Sequence, residues 1–98
     1  MPLRSSSARI LQARAARDPA FREALFEEAV QTLLAGDIDA GRAAMRDYIN
    51  ATIGFEKLST ALGLPQKSLM RMFGPSGNPT AENLLGVIGV LQEETACT

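Results

Sequence analysis

The sequence predicts an all-α fold of five helices, preceded by an additional short N-terminal helix or arm. Three observations support this prediction. Apolar residues recur at helical spacing along almost the whole chain, glycine and proline mark the breaks between those segments, and no segment has the alternation of a half-buried strand. The chain has 98 residues, 46% hydrophobic and 21% charged, which suits one small globular domain.

The first 17 residues differ in composition from the rest. They are rich in alanine and arginine, and residues 5–17 contain only Ile10 and Leu11 as large apolar side chains. We therefore expect an Arg-rich arm or short helix over residues 1–17 and one domain over residues 18–98. No apolar run approaches the ~20 residues of a membrane span, and no signal-peptide pattern opens the chain. We expect a cytoplasmic protein with no membrane partner.

Two long helices are predicted next. Asp18 is a good N-cap, the proline after it suits the first helical position, and Gly36 can take the left-handed conformation that ends a helix. Asp37 can cap the second helix, which is predicted to run to about Ile53 and to stop at Gly54. The residues expected to face inward are Phe21, Leu25, Phe26, Ala29, Val30, Leu33 and Leu34 in the first helix, and Ile38, Ala44, Met45, Tyr48, Ile49 and Ile53 in the second.

Residues 55–73 have the spacing of a helix-turn-helix motif. The inward residues are expected to be Phe55, Leu58 and Leu62 before the turn, and Leu69, Met72 and Phe73 after it. The motif needs a small residue where the helices cross, a glycine with positive φ in the turn and an aliphatic residue on the buried side of the second helix. Ser59, Gly63 and Leu69 lie at those three positions.

The opposite side of the second helix carries side chains that suit a DNA major groove. Glutamine can pair with adenine, lysine can donate to guanine or phosphate, arginine can do either, and methionine can pack on a thymine methyl group. The predicted DNA-binding residues are Gln66, Lys67, Ser68, Met70 and Arg71, with Lys57 from the first helix. Ser68 either donates a hydroxyl hydrogen bond or is simply a small residue near the helix crossing.

A loop rich in glycine and proline follows the motif. Thr80 can cap the last helix, which is predicted from Ala81 to about Glu93. Capping alone explains the loop composition, but backbone amides at Ser76, Gly77 or Asn78 can also meet a phosphate.

The last helix is apolar over more than half of its circumference, which exceeds one core face. We therefore expect part of it, with Leu85, Ile88 and Leu91, to form a homodimer interface. The alternative is a deeply buried terminal helix. A twofold dimer would present its two recognition helices to successive major grooves about 34 Å apart.

Several kinds of chemistry are excluded by composition. The chain has no histidine and a single cysteine, Cys97. Histidine general acid-base catalysis, a Cys-His nucleophile, zinc sites built on histidine or several cysteines, and an intrachain disulfide are all excluded. We expect no enzymatic activity, no metal and no cofactor.

The run GFEKLSTALGLPQKSLMRMFGPSGNPTAENLLGVIGVLQ resembles helix-turn-helix proteins of the lambda-repressor and Cro type, and more narrowly the HigA-like antidote proteins of bacterial addiction modules. The resemblance extends over about residues 18–92. It includes the Asp-Pro-x-Phe opening of residues 18–21 and the Met-Arg-Asp-Tyr run of residues 45–48, and its most specific element is the Gly-Asn-Pro-Thr sequence of residues 77–80.

The resemblance implies a dimeric repressor that binds an operator in double-stranded DNA, with Gln66, Lys67 and Arg71 facing the groove. It also implies a partner toxin, usually a small ribonuclease, that the antidote neutralises. Our leading hypothesis is a sequence-specific DNA-binding repressor that acts on its own operon, and the antitoxin role is the extension that the resemblance implies. The alternative is a helical protein-interaction module without DNA binding.

The distribution of charge along the chain is compatible with a protein-interaction module as well as with a DNA-binding protein. The net charge is −1, but five arginines against one aspartate give residues 1–22 a charge of +4, and six acids against two arginines give residues 23–50 a charge of −4. Residues 51–81 carry three cations and one acid, a small surplus for a DNA-binding motif. Arg4, Arg9 and Arg14 would add to it if the N-terminal segment reaches the duplex.

Overall fold

The computed structural model describes residues 13–96, which form an all-α fold. Its helices are α1 (residues 13–17 of the described part), α2 (Pro19–Leu34), α3 (Ile38–Ala51), α4 (Gly54–Leu62), α5 (Gln66–Met72) and α6 (Ala81–Ala96). No strand occurs among these residues. The predicted fold class, a helix-turn-helix arrangement of five helices with a short helix in front, is confirmed. No helix in this part of the chain is long and apolar enough to cross a membrane.

The predicted caps of α2 and α3 are present. The Asp18 side chain accepts a hydrogen bond from the Phe21 amide at 3.2 Å, and the Asp37 side chain accepts one from the Ala40 amide at 3.3 Å. Gly36 lies between the two helices with a φ of 90°. Each acceptor satisfies an amide that the first turn of its helix leaves without an intrahelical partner.

Three helix boundaries differ from the prediction. α3 ends at Ala51, because Thr52 leaves helical geometry and its amide and hydroxyl bond back to the carbonyls of Ile49 and Tyr48 at 3.2 and 2.7 Å. Gly54, predicted as a stop, is instead the first residue of α4. α6 continues past the predicted end at residue 93 to residue 96, where the sequence has no glycine or proline to stop it.

The core lies where the five longer helices meet. Its buried side chains are Ala29, Met45, Tyr48, Ile49, Phe55, Leu58, Leu69, Phe73, Val87 and Leu91. Aromatic pairs link elements within it: the Phe26 and Tyr48 ring centroids are 5.3 Å apart, and those of Phe55 and Phe73 are 6.3 Å apart. Tilted pairs at these distances add to the apolar burial.

The arm joins the domain through α1. Ala15 is buried, the Arg14 guanidinium lies 4.3 Å from the Phe21 ring centroid, and Arg22 donates to the Ala15 carbonyl at 2.6 Å. The earlier part of the predicted helix, with Ile10 and Leu11, lies outside the described residues, as do Arg4 and Arg9.

The burial of three apolar residues differs from the prediction. Leu34 and Ile38, expected inward, are 78% and 47% exposed because they lie at the α2–α3 corner, beyond the reach of the other helices. Leu91, expected at a dimer interface, is 1% exposed. It lies one turn after the buried Val87 on the same side of α6, so its side chain belongs to the core and is not available to a partner.

α2 and α3 approach each other closely at Gly41. A Cβ atom at this buried position would lie 2.6 and 2.7 Å from Leu33 side-chain carbons and 3.0 Å from the Leu33 backbone nitrogen. The absence of a side chain therefore sets the distance between the two helices.

Replacement of Gly41 by alanine is expected to lower the free energy of unfolding by about 1–3 kcal/mol, because the added methyl group forces the two helices apart. Gly89→Ala is the matched control. A Cβ there meets nothing within 4 Å, so the helix-propensity gain of about 0.5–1 kcal/mol dominates. Urea denaturation followed by circular dichroism measures both. A Gly41→Ala protein as stable as the parent would contradict the close-packing argument.

Candidate nucleic-acid interface

The turn between α4 and α5 is built as the sequence predicts. Gly63 has a φ of 70°, and its amide donates to the Ser59 carbonyl at 2.9 Å. The Leu64 amide donates to the same carbonyl at 3.2 Å, and the Ser59 hydroxyl donates in return to the Leu64 carbonyl. Ser59 therefore does more than leave space at the crossing, because its side chain satisfies a carbonyl of the turn.

Two buried side chains orient α5. Leu69 and Phe73 are fully buried and pack in the cluster that contains Phe55 and Leu58 of the preceding helix. With these positions inward, the helical period places Lys67, Met70 and Arg71 on the opposite side of the helix, while Met72 packs against the edge of the core.

The outward side of α5 carries the predicted recognition residues. Gln66, Lys67, Met70 and Arg71 are exposed, and Met70 is 51% exposed despite its apolar side chain. Ser68 is half-buried. The Gln66 side-chain nitrogen lies 4.0 Å from the Met70 sulfur, so the two side chains adjoin.

The cations of α5 have no acidic partner. Among residues 13–96, Lys67 and Arg71 form no ion pair, whereas Arg14, Arg42 and Arg46 each lie within 4 Å of an aspartate oxygen. The positive charge of α5 is thus not neutralised locally, and its interaction with an external anion costs no intramolecular ion pair.

α5 and the loop that follows it enclose an open cleft of about 260 Å³. Its walls are formed by Ser68, Arg71, Met72, Ser76, Gly77 and Asn78. The cleft brings together two predicted DNA-binding residues and the loop whose amides were considered for phosphate contact. The lining supplies a guanidinium, two hydroxyls and a carboxamide, all of which can bind an anionic oxygen.

Gly77 holds the loop against α5. A Cβ atom there would lie 2.0 Å from the Arg71 carbonyl oxygen and 2.3 Å from that of Met72, so only glycine fits. The end of the loop is capped as predicted, because the Thr80 hydroxyl accepts from the Asn83 amide at 3.2 Å.

Arg42 is a part of this region that the sequence analysis missed. Its guanidinium donates to the Gly77 and Pro75 carbonyls at 3.0 and 3.1 Å and lies 3.2 Å from an Asp39 oxygen. The sequence does place this arginine at helical spacing from Met45 and Ile49, on the side of α3 that faces the core, which is an unusual place for a charged residue. The acceptors are more than 30 residues away in sequence, so periodicity did not reveal them.

The remaining predicted residues lie elsewhere. Lys57 is exposed on α4 and lines a second cleft, of about 230 Å³, with Arg22, Tyr48 and Glu94 among others. The structure thus does not bring it into the cleft of Ser68 and Arg71. On α6, Leu85 is 67% exposed and Ile88 is half-buried against the core.

No group of three histidine, cysteine, aspartate or glutamate side chains within the described part of the chain could hold a metal ion. No family model, curated protein or solved structure matches this chain. The likeness to HigA-type proteins therefore stays a prediction from the residues quoted above.

Replacement of Ser59 by alanine, the commoner residue at this position of the motif, is expected to lower the free energy of unfolding by about 1 kcal/mol, because the Leu64 carbonyl loses its hydroxyl donor. Thr60→Ala is the control. Its hydroxyl bonds only to an exposed carbonyl of its own helix, so the change should stay within about 0.5 kcal/mol. Equal stabilities of the two variants in urea titrations would show that the Ser59 hydroxyl contributes nothing.

Proposed function

We propose that this protein is a sequence-specific DNA-binding repressor of transcription that acts at its own operon. The observation that carries the proposal is the outer side of α5. A helix held by its buried side chains at the second position of a helix-turn-helix presents an amide, an exposed methionine and two cations that have no ion pair among the described residues. This combination of donors and apolar surface matches what major-groove base edges offer.

The positions along α5 suggest a division of roles. Gln66 and Lys67 lie at the start of the helix, where recognition helices contact base edges, and they are proposed to read adenine and guanine. Met70 is proposed to pack on a thymine methyl. Arg71 lies one turn further, beside the cleft, where its guanidinium is proposed to meet a backbone phosphate.

The proposed repressor is a dimer joined through α6. Leu85 leaves a large apolar side chain two-thirds exposed next to the half-buried Ile88, and an apolar surface of this kind is stabilised when a partner covers it. A second copy is the proposed partner, because palindromic operators match twofold proteins. Leu91 is buried in the core and is therefore not part of the proposed interface.

The antitoxin role rests on the family resemblance alone and is proposed as an extension. A protein-interaction module without DNA binding is the second candidate, and one observation favours it. Leu34 and Ile38 are exposed apolar residues at the α2–α3 corner, with Asp37 and Asp39 beside them. Such a corner suits a partner with apolar and basic groups.

Double replacement of Gln66 and Lys67 by alanine is expected to remove the preference for the native upstream sequence over a scrambled duplex, because both contacts to base edges are lost. Non-specific binding should weaken less, since Arg71 remains. Fluorescence anisotropy over a salt series measures both affinities, and circular dichroism checks that helicity is retained. Parent protein with no preference at any salt would favour the interaction module, and a double variant with full discrimination would refute the assignment of these two residues.

Leu85→Glu is expected to convert dimers to monomers, because it places a charge in the proposed α6 interface. Leu34→Glu is the matched control: it also puts a carboxylate on an exposed leucine, but at the far end of α2. Sedimentation velocity at several concentrations measures the distribution. Equal sedimentation of the parent and the Leu85 variant, both as monomers or both as dimers, would exclude this interface.

A further inference from the structure

Arg42 connects α3 to the loop after α5 through two hydrogen bonds from its guanidinium. Two nitrogens of one guanidinium donate to two loop carbonyls, those of Gly77 and Pro75, and the first also contacts Asp39. Only 11% of the Arg42 side chain is exposed. A planar fork with fixed donors can hold two acceptors at a set separation, which a lysine ammonium cannot do.

The contact fixes which way the loop amides point. No peptide bond in the described part of the chain is cis, and in a trans peptide the carbonyl and the following N–H point in opposite directions. Because the Pro75 and Gly77 carbonyls point to Arg42, the Ser76 and Asn78 amides point away from it. Within residues 13–96, neither amide donates to a backbone carbonyl.

The two amides belong to residues that line the cleft beside Arg71. Ser76 and Asn78 form one wall, and Ser68 and Arg71 form the wall on α5. The cleft is thus lined by two residues whose N–H groups point away from Arg42 and by the Arg71 guanidinium, which has no ion pair among residues 13–96. Backbone amides and a guanidinium are the donors that phosphate groups bind in proteins.

We propose that Arg42 is a positioning residue: its fork holds the Pro75 and Gly77 carbonyls so that the Ser76 and Asn78 amides, with Arg71, bind one phosphate of the DNA backbone. This inference rests on the proposed DNA-binding function. Arg42 acts through the loop and not on the phosphate, because its donors already have acceptors and its side chain is nearly buried.

The test compares Arg42→Lys with the parent and with Arg46→Lys. Both variants keep the positive charge, but within residues 13–96 the Arg46 guanidinium pairs with the neighbouring Asp47, at 3.9 Å, and donates to no loop carbonyl. DNA affinity is measured by anisotropy from low to moderate salt, with the native and the scrambled duplex. In the Arg42 variant the two amides no longer hold the phosphate against Arg71, so the Arg71 guanidinium is expected to lose that contact. One fewer phosphate is then neutralised per chain, and the log-log salt slope should be shallower by about 0.9 per chain while the preference for the native duplex remains.

A second readout does not need DNA. Amide NMR shifts are followed while inorganic phosphate is added against sodium chloride at equal ionic strength. The Ser76 and Asn78 amides are expected to respond in the parent and in Arg46→Lys, and to lose that response in Arg42→Lys. The amide spectrum in the absence of phosphate also shows whether each variant is folded.

The outcomes separate the two proposals. The parent protein could bind no DNA while its Ser76 and Asn78 amides respond to phosphate only when Arg42 is present. That result would refute the proposed function but support the phosphate site and the positioning role of Arg42. A parent that binds DNA, with an Arg42→Lys variant of unchanged salt slope or unchanged amide response, would overturn the positioning role. If both lysine variants lose the same slope, arginine content and not the fork would be responsible, and the inference would also fail.

Discussion

The burial of Leu69 and Phe73 is the constraint on which the rest of the site depends. α5 has only seven residues, and the N-cap residue before it, Pro65, supplies no side-chain cap, so the helix has little stability of its own. It exists because two of its side chains are fully buried, one of them against the Phe55 ring. That burial fixes the rotation of the helix, and the rotation decides which side chains reach solvent. The chemistry of the outer surface is thus a consequence of core packing.

The loop after α5 depends on a second set of contacts, which are polar and not apolar. Gly77 lies so close to the α5 carbonyls that no side chain fits, and the Arg42 guanidinium binds the loop from the other side. An irregular segment with few apolar side chains gains little from the hydrophobic effect, so its conformation is set by hydrogen bonds to a nearly buried cation. α3, which is remote from α5 in sequence, in this way becomes part of the candidate interface.

Local rules were enough to predict the five longer helices, the caps at Asp18, Asp37 and Thr80 and the exposed side of α5, because caps and helical period act over a few residues. Local rules failed where burial depends on contacts between helices that are distant in the sequence. α6 is apolar around much of its circumference, so the pattern left open that Leu91 faces the core while Leu85 faces solvent. Ile38 and Leu34 fit the inward stripe but lie at a corner with nothing packed over them. Arg42 was missed because the loop carbonyls that it binds are distant in the sequence and carry no side-chain signature.

The separation of charge between helices has a kinetic consequence. Glu23, Glu27 and Glu28 are all exposed on α2, and the unpaired cations of the described residues include Lys67 and Arg71 on α5. A body of 33 × 30 × 26 Å that carries opposite charges on different helices has an electric dipole moment, although the net charge of the whole chain is only −1. Near a polyanion such a dipole experiences a torque, which acts within the Debye length of about 8 Å at physiological salt. Rotational diffusion in the last few ångströms of approach is then biased toward orientations in which the acidic surface of α2 points away from the polyanion.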